Sequence, residues 1–148
     1  MDDAQMARID ELLERFRREW MAGVRAAARD ASGGRAGRGA FRVLEALVAG
    51  AGRSPSELAD DVGVRSSTMT THLDRLEEWG WAERRAEEGR GARIRVAATA
   101  AGRQVYGAFM AARRAVLRDM LGPLPPEARE AWSQALEAWA GRHAGVPQ

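Results

Sequence analysis

The sequence predicts a mainly helical chain of the α+β class, and three observations carry that reading. Apolar residues recur every three to four positions over residues 4–28 and again over 100–139, the spacing of one helix face. Between Trp81 and Ala97 the period drops to two, the spacing of strands. In between, Gly63 and Gly80 each close a short helical pattern. At 148 residues the chain has the size of one domain, or of one small lobe carrying long accessory helices.

Each element can be justified in turn. Met6, Ile9, Leu13, Phe16, Trp20 and Val24 form one stripe along a first helix. The plain reading is a core-facing helix of a monomer; the stripe is long for so small a chain, which favours a seam shared with a second copy. Residues 31–39, with Ser32-Gly33-Gly34 and Gly37, break the period as a linker. From Gly39, Phe41, Val43, Leu44, Leu47 and Val48 make a second helix that ends around Gly50. Ser54-Pro55-Ser56-Glu57 is a capping box with proline at the first helical position, so a third helix starts there and halts at Gly63.

Arg65-Ser66-Ser67 opens a fourth helix, running to about Trp79, with Met69, Leu73 and Leu76 inward. The 100° step then turns Ser67, Thr70, Thr71, Asp74, Arg75 and Glu78 outward. Trp81–Arg85 and Arg93–Ala97 read as two strands around a glycine-containing basic loop, Glu87 to Gly91. Thr99 caps a helix over about residues 100–121, with Val105, Phe109, Ala112, Val116 and Met120 on its apolar face, and Gly122-Pro123 ends it. Pro125-Pro126 leads a last helix with Ala128, Trp132, Leu136 and Trp139 inward, fraying from about Gly141.

Composition excludes several chemistries. There is no cysteine, and all 23 basic residues are arginine, so thiolate sites, a Schiff-base lysine and a P-loop lysine are ruled out. His72 and His143 cannot make a histidine cluster for a metal. No Ser-His-Asp ordering or glycine-rich phosphate loop is present, and paired carboxylates such as Asp60-Asp61 and Glu77-Glu78 read as solvated helix charge. Neither an enzyme nor a cofactor is expected. No apolar run approaches the length of a membrane span, and the start Met1-Asp2-Asp3 is acidic, so a cytoplasmic protein without membrane contact is expected.

Helix, glycine turn, helix and a two-stranded hairpin, in that order, is the arrangement of a winged helix-turn-helix. The outward face of its second helix is small and hydroxylic, suited to a major groove. Residues 53–99 carry eight Arg against nine Asp and Glu, yet Arg84 to Arg95 holds five Arg against Glu87 and Glu88. That hairpin is a local positive arm, suited to a phosphate backbone or narrow minor groove. The sequence therefore nominates Ser66, Ser67, Thr68, Thr70, Thr71 and Arg75 on the helix, and Arg84, Arg90, Arg93 and Arg95 on the wing, for contact with double-stranded DNA. A winged helix used for protein contact alone is the alternative.

Phe41-Arg42-Val43-Leu44, Ser56-Glu57-Leu58-Ala59, Gly63-Val64, Ser67-Thr68-Met69-Thr70, Leu73-Asp74-Arg75-Leu76-Glu77-Glu78, Gly80, Ala82-Glu83-Arg84-Arg85 and Thr99-Ala100-Ala101-Gly102 form an ordered set. Together they resemble the MarR family of transcriptional regulators, from about Phe41 to Arg103. The resemblance implies a homodimer built by terminal helices, 1–38 (with the linker) and 100–148, around winged lobes at 39–99. It also implies a pseudo-palindromic operator, repression of a nearby promoter, and often control by a small aromatic or anionic effector. Trp20, Met21, Phe41, Tyr106 and Met110 would line the effector cleft, where the same residues would otherwise be ordinary core. The hairpin departs from the family's usual Asp-x-Arg pattern, offering Glu88-Gly89-Arg90 and Arg93. Ser66 stands where an arginine is frequent and His72 where a leucine is, and the absence of cysteine excludes sensing by thiol oxidation.

Overall fold

A computed structural model describes residues 1–50, 52–87 and 93–143. Helix α1 (Asp3–Ala31) begins one residue earlier than its stripe suggests, because Asp2 caps it by accepting the Gln5 amide at 2.7 Å. It also runs past Val24, since Ala27 and Ala28 continue the buried face. The linker is held by Ser32, whose buried hydroxyl donates to the Arg29 carbonyl at 3.2 Å and accepts from the Ala36 amide at 3.0 Å. Helix α2 (Arg38–Ala49) then buries Phe41, Val43, Leu44 and Leu47.

Helix α3 (Pro55–Val62) starts at the capping box, with both reciprocal bonds formed: the Glu57 amide to Ser54 Oγ at 3.1 Å and the Ser54 amide to the Glu57 carboxylate at 2.9 Å. Gly63 closes it at φ 69°, a left-handed conformation that a Cβ disfavours. Helix α4 (Ser66–Glu78) follows, and Met69, Leu73 and Leu76 lock it against α2 and α3. Strands β1 (Ala82–Glu87) and β2 (Arg93–Ala98) pair antiparallel from Ala82↔Ala98 to Glu87↔Arg93, and Arg53 adds an isolated bridge to Val96. The tip of the hairpin, expected as a basic loop, lies outside the described residues.

One boundary differs from expectation. Trp81 does not open the strand; its amide donates to the Leu76 carbonyl at 2.8 Å and its ring is buried, so it closes α4 instead. Helix α5 (Ala100–Leu121) then starts on a junction between the lobe and the long helices. Thr99 Oγ1 accepts the Gly102 amide at 3.1 Å and donates to the Gly80 carbonyl at 2.6 Å, while the Thr99 amide donates to Trp81 O at 3.0 Å. Gly102 packs so closely that an added Cβ would lie 2.1 Å from that same oxygen.

Helix α5 lies along α1, and α6 (Pro126–His143) reaches back to α1 through Trp132, whose ring is 4.9 Å from Phe16. The inward stripe expected on α6 is only half realised within one chain. Trp132 is partly buried, but Leu136 and Trp139 are 52% and 55% exposed, with no second layer among the described residues over them.

The junction generates a prediction. Gly102→Ala should lower stability by about 3 kcal/mol, since backbone cannot yield to the new methyl, whereas Gly107→Ala in the same helix, with open space around it, should raise it by about 0.5 kcal/mol. Urea unfolding of both variants checks this; equal effects would sink the account.

Candidate nucleic-acid interface

On α4 the nominated residues Ser66, Ser67, Thr68, Thr70, Thr71 and Arg75 are all exposed, and the helix begins at Arg65, which makes no side-chain cap. The Thr70 and Thr71 hydroxyls donate to the carbonyls of Ser66 and Ser67, at 3.0 and 3.1 Å. With the donor spent inside the helix, each presents acceptor lone pairs and a methyl group rather than a free donor. Arg65, not among the residues nominated from the sequence, belongs to the same exposed surface; its place just before a hydroxyl run is the signal that could have found it.

The hairpin is pinned to that helix. Arg84 places its guanidinium against Asp74, at 2.8 Å, and against Glu77, while its amide donates to Glu77 at 3.0 Å. Its side chain is 28% exposed, so the contact ties β1 to α4 rather than standing open. Arg95 spans Glu57 on α3, at 3.1 Å, and Glu87, at 3.4 Å. The Ser54 amide, then Arg95, hold the Glu57 carboxyl below its ordinary range. Arg85 pairs with Glu83. Arg93 is exposed and has no ion-pair partner among the described residues, and Arg90 lies outside them.

The sides of α4 are unequal. Taking about 100° per residue, Asp74 and Glu77 lie on one flank of the inward line through Met69, and His72 and Arg75 on the other. The wing is fixed to the first flank by Arg84. On the second, a Cβ at Gly39 would meet the His72 ring at 3.0 Å, so the start of α2 packs there.

A separate cleft opens between α1, α2 and α5. It has a volume of about 210 Å³ and is lined by Trp20, Met21, Val24, Phe41 and Phe109 together with Arg38, Arg42, Glu45 and Arg113. Phe41 stacks on Phe109 at 4.3 Å, and the Arg113 guanidinium sits 5.3 Å above the Trp20 ring. Trp20, Met21 and Phe41 line it as expected. Tyr106 and Met110 lie beside it, Tyr106 donating to Glu45 at 3.2 Å, with burial and then Glu45 raising its phenol pKa. The three arginines have no counterpart in the sequence-based expectation.

A helix-turn-helix with a two-stranded hairpin beside its second helix, set between long helices, defines a winged helix-turn-helix protein. A model of the MarR family matches residues 37–93. The fold is also shared, along nearly the whole chain, with RV1404 from Mycobacterium tuberculosis (21% identity, 95% of each chain covered, TM-score 0.80). A MarR-family regulator from Rhodococcus sp. RHA1 matches at 23% identity over 94% of this chain and 96% of its own, TM-score 0.68. One from Silicibacter pomeroyi matches at 27% identity over 88% and 86%, TM-score 0.61. No curated protein matches. The lobe is thus a winged helix-turn-helix that matches the MarR family over residues 37–93, and the whole chain shares the fold of the MarR-family transcriptional regulators it resembles. Among the described residues no helix is long and apolar enough to cross a membrane.

His72 supplies a prediction. Its Nδ1 is buried without a hydrogen-bond partner, and burial, then the charge of Arg75, lowers its pKa from the ordinary 6.5. Above 6.5 the ring is neutral folded or unfolded. As pH falls below 6.5 the unfolded chain takes up the proton first, so stability is lost down to the folded value. The His72 ring should titrate below 6.5 by NMR, and His72→Gln should flatten the loss of stability on acidification; an unchanged acid profile would contradict the assignment.

Proposed function

We propose that this chain is a sequence-specific, DNA-binding transcriptional regulator that acts by binding and not by catalysis. It works as a homodimer on a pseudo-palindromic operator and represses a nearby promoter. The observation that carries this is the exposed α4 face of Ser66, Ser67, Thr68, Thr70, Thr71 and Arg75, held on a rigid three-helix core with a wing fixed beside it. In this reading Thr70 and Thr71 meet base edges as acceptors and methyl groups, while Arg75 and Arg93 meet phosphates. Arg84 serves by holding the wing at its angle, Arg95 by tying β2 to α3, and Arg90 belongs to the wing tip.

The homodimer accounts for apolar surface that one chain leaves open: Met6, Ile9, Leu12 and Leu13 on α1, and Leu136 on α6. Domain roles follow, with 39–99 as the DNA-binding lobe and 1–38 and 100–148 as dimerisation segments. The cleft suits a small aromatic anion, since ring faces and three arginines meet in a space below the roughly 300 Å³ of drug-sized sites. Such a ligand must prefer the non-binding conformation to act. A cytoplasmic location follows from the role.

The ion pairing of Arg84, Arg85 and Arg95 supports a second reading, a winged helix that contacts protein alone. Mobility-shift titration on the DNA upstream of its own gene separates them. Arg93→Ala should weaken operator and scrambled duplexes by similar factors and lower the salt slope by about 0.9 for each phosphate no longer neutralised. Thr71→Ala should leave the slope alone and cost about 1 kcal/mol on the operator only. Absence of salt-dependent binding by the wild type would favour the protein-contact reading, and sedimentation well below twice 16.1 kDa would reject the dimer.

The effector has its own test. Aromatic acids should quench tryptophan emission and release DNA together, and Trp20→Leu should abolish both responses. Release of DNA that survives Trp20→Leu unchanged would place the ligand elsewhere.

A further inference from the structure

Among the described residues, one cluster of unpaired charge lies on neither the wing nor α4. Between Trp20 and Leu44 the chain carries five arginines and a single acid, Asp30. Four of them, Arg25 and Arg29 on α1, Arg35 in the linker and Arg38 opening α2, are exposed and line one open concavity of about 440 Å³. None pairs with a carboxylate among the described residues, and only Arg38 has a side-chain contact, with Met21 Sδ at 3.4 Å. Nearer the start of the same α1, Arg8, Arg15 and Arg17 each face a glutamate. Repulsion among four clustered guanidinium groups costs stability unless an anion offsets it.

The position of the cluster identifies the anion. The concavity includes Gly37 and Arg38, at the start of α2, and the next residue, Gly39, is the one that meets the His72 ring. His72 and Arg75 mark the flank of α4 opposite the one that Arg84 ties to the wing. A duplex whose major groove receives α4 has a phosphate strand on each side of that helix. The wing is tied to one flank of α4, and the arginine cluster adjoins the residue that packs on the other. We propose that Arg25, Arg29, Arg35 and Arg38 form a second contact with the DNA backbone, on the side of the groove helix away from the wing.

This rests on the reading of α4 as the groove helix, and extends it to residues outside the winged lobe. The lining favours a phosphodiester backbone over a small metabolite, because it offers charge without an aromatic ring or an oxygen or nitrogen acceptor side chain to define a ligand's shape. Backbone amides at the start of α2, where Gly37 provides no side-chain cap, add donors of the right kind.

The full-length protein tests it, with operator and scrambled duplexes of about three helical turns titrated over a range of salt. The variant is Arg29→Gln with Arg35→Gln, since neither side chain lines the cleft near Trp20 or enters the core. The salt slope should fall by about 0.9 for each phosphate released, some two units per lobe, on both duplexes alike. Affinity near physiological salt should drop about tenfold or more on each, by the same counterion arithmetic. Arg29→Lys with Arg35→Lys should recover most of both, and the melting temperature should not fall in either variant, rising if anything where glutamine relieves the repulsion. Ethylation interference should show the released phosphates on the strand away from the wing.

Three results overturn the proposal, each for a separable reason. If Arg93→Ala lowers the slope and the glutamine variant does not, the groove reading stands and the cluster is not on DNA. If the glutamine variant instead loses binding of inorganic pyrophosphate, measured by calorimetry, with its DNA slope intact, the concavity is a small-anion site. If the wild type shows no salt-dependent binding, the groove reading fails and takes the second contact with it.

Discussion

The carbonyl oxygen of Trp81 sets the geometry from which the rest of the molecule follows. It accepts the Thr99 amide at 3.0 Å, and it occupies the place where any residue but glycine at 102 would put a side chain. The Thr99 hydroxyl closes the same knot by bonding Gly80 and capping α5. The end of α4, the base of the hairpin and the first turn of α5 therefore meet with their backbone polar groups satisfied, as buried groups must be. Phe41, stacked on Phe109 and near Trp81, fills the apolar side of that junction. The cleft between α1, α2 and α5 is lined by Phe41 and Phe109 of the same junction, so α4 and the cleft share one anchor.

Using arginine for every basic position obliges one side chain to do two jobs, and the neighbours decide which. Arg84, between two carboxylates, is a strut. Arg95, between Glu57 and Glu87, braces β2 against α3. Arg65, Arg75 and Arg93 lack such partners among the described residues and present their charge outward. Net charge over the lobe conceals this division, because struts cancel in the sum while presented groups do not. A surface almost neutral by count can still be cationic where it faces outward.

What is legible in the sequence is local. Ser54 and Glu57 lie three residues apart, so their reciprocal bonds are implied by spacing alone, and Gly63 and Thr99 announce their caps in the same way. The buried line Met69, Leu73 and Leu76 is equally plain from its period. Trp81 reads as strand because an aromatic beside a glycine suits one, and only the Leu76 carbonyl, supplied by the preceding helix, shows otherwise. Arg84 reads as a free wing charge because its partners, Asp74 and Glu77, sit on another element. Arg38, Arg42 and Arg113 are silent for a related reason: each belongs to the polar side of its helix, and only the packing of α1, α2 and α5 turns those sides toward one space. Leu136 and Trp139 show the converse, a stripe that periodicity marks as interior and that a single chain leaves partly uncovered.

The Arg84 strut has a mechanical consequence. With β1 bound to α4 through two carboxylates and a backbone amide, the hairpin cannot swing independently of the helix beside it. Each lobe then behaves as one stiff reading head. In the proposed dimer, the quantity left to vary would be the separation and tilt between two such heads, while the pattern each one reads would stay constant. Under the proposed function, regulation becomes a matter of caliper width: a ligand lodged by α1 and α5 would change which spacing of half-sites is accepted, not which bases are preferred within either half.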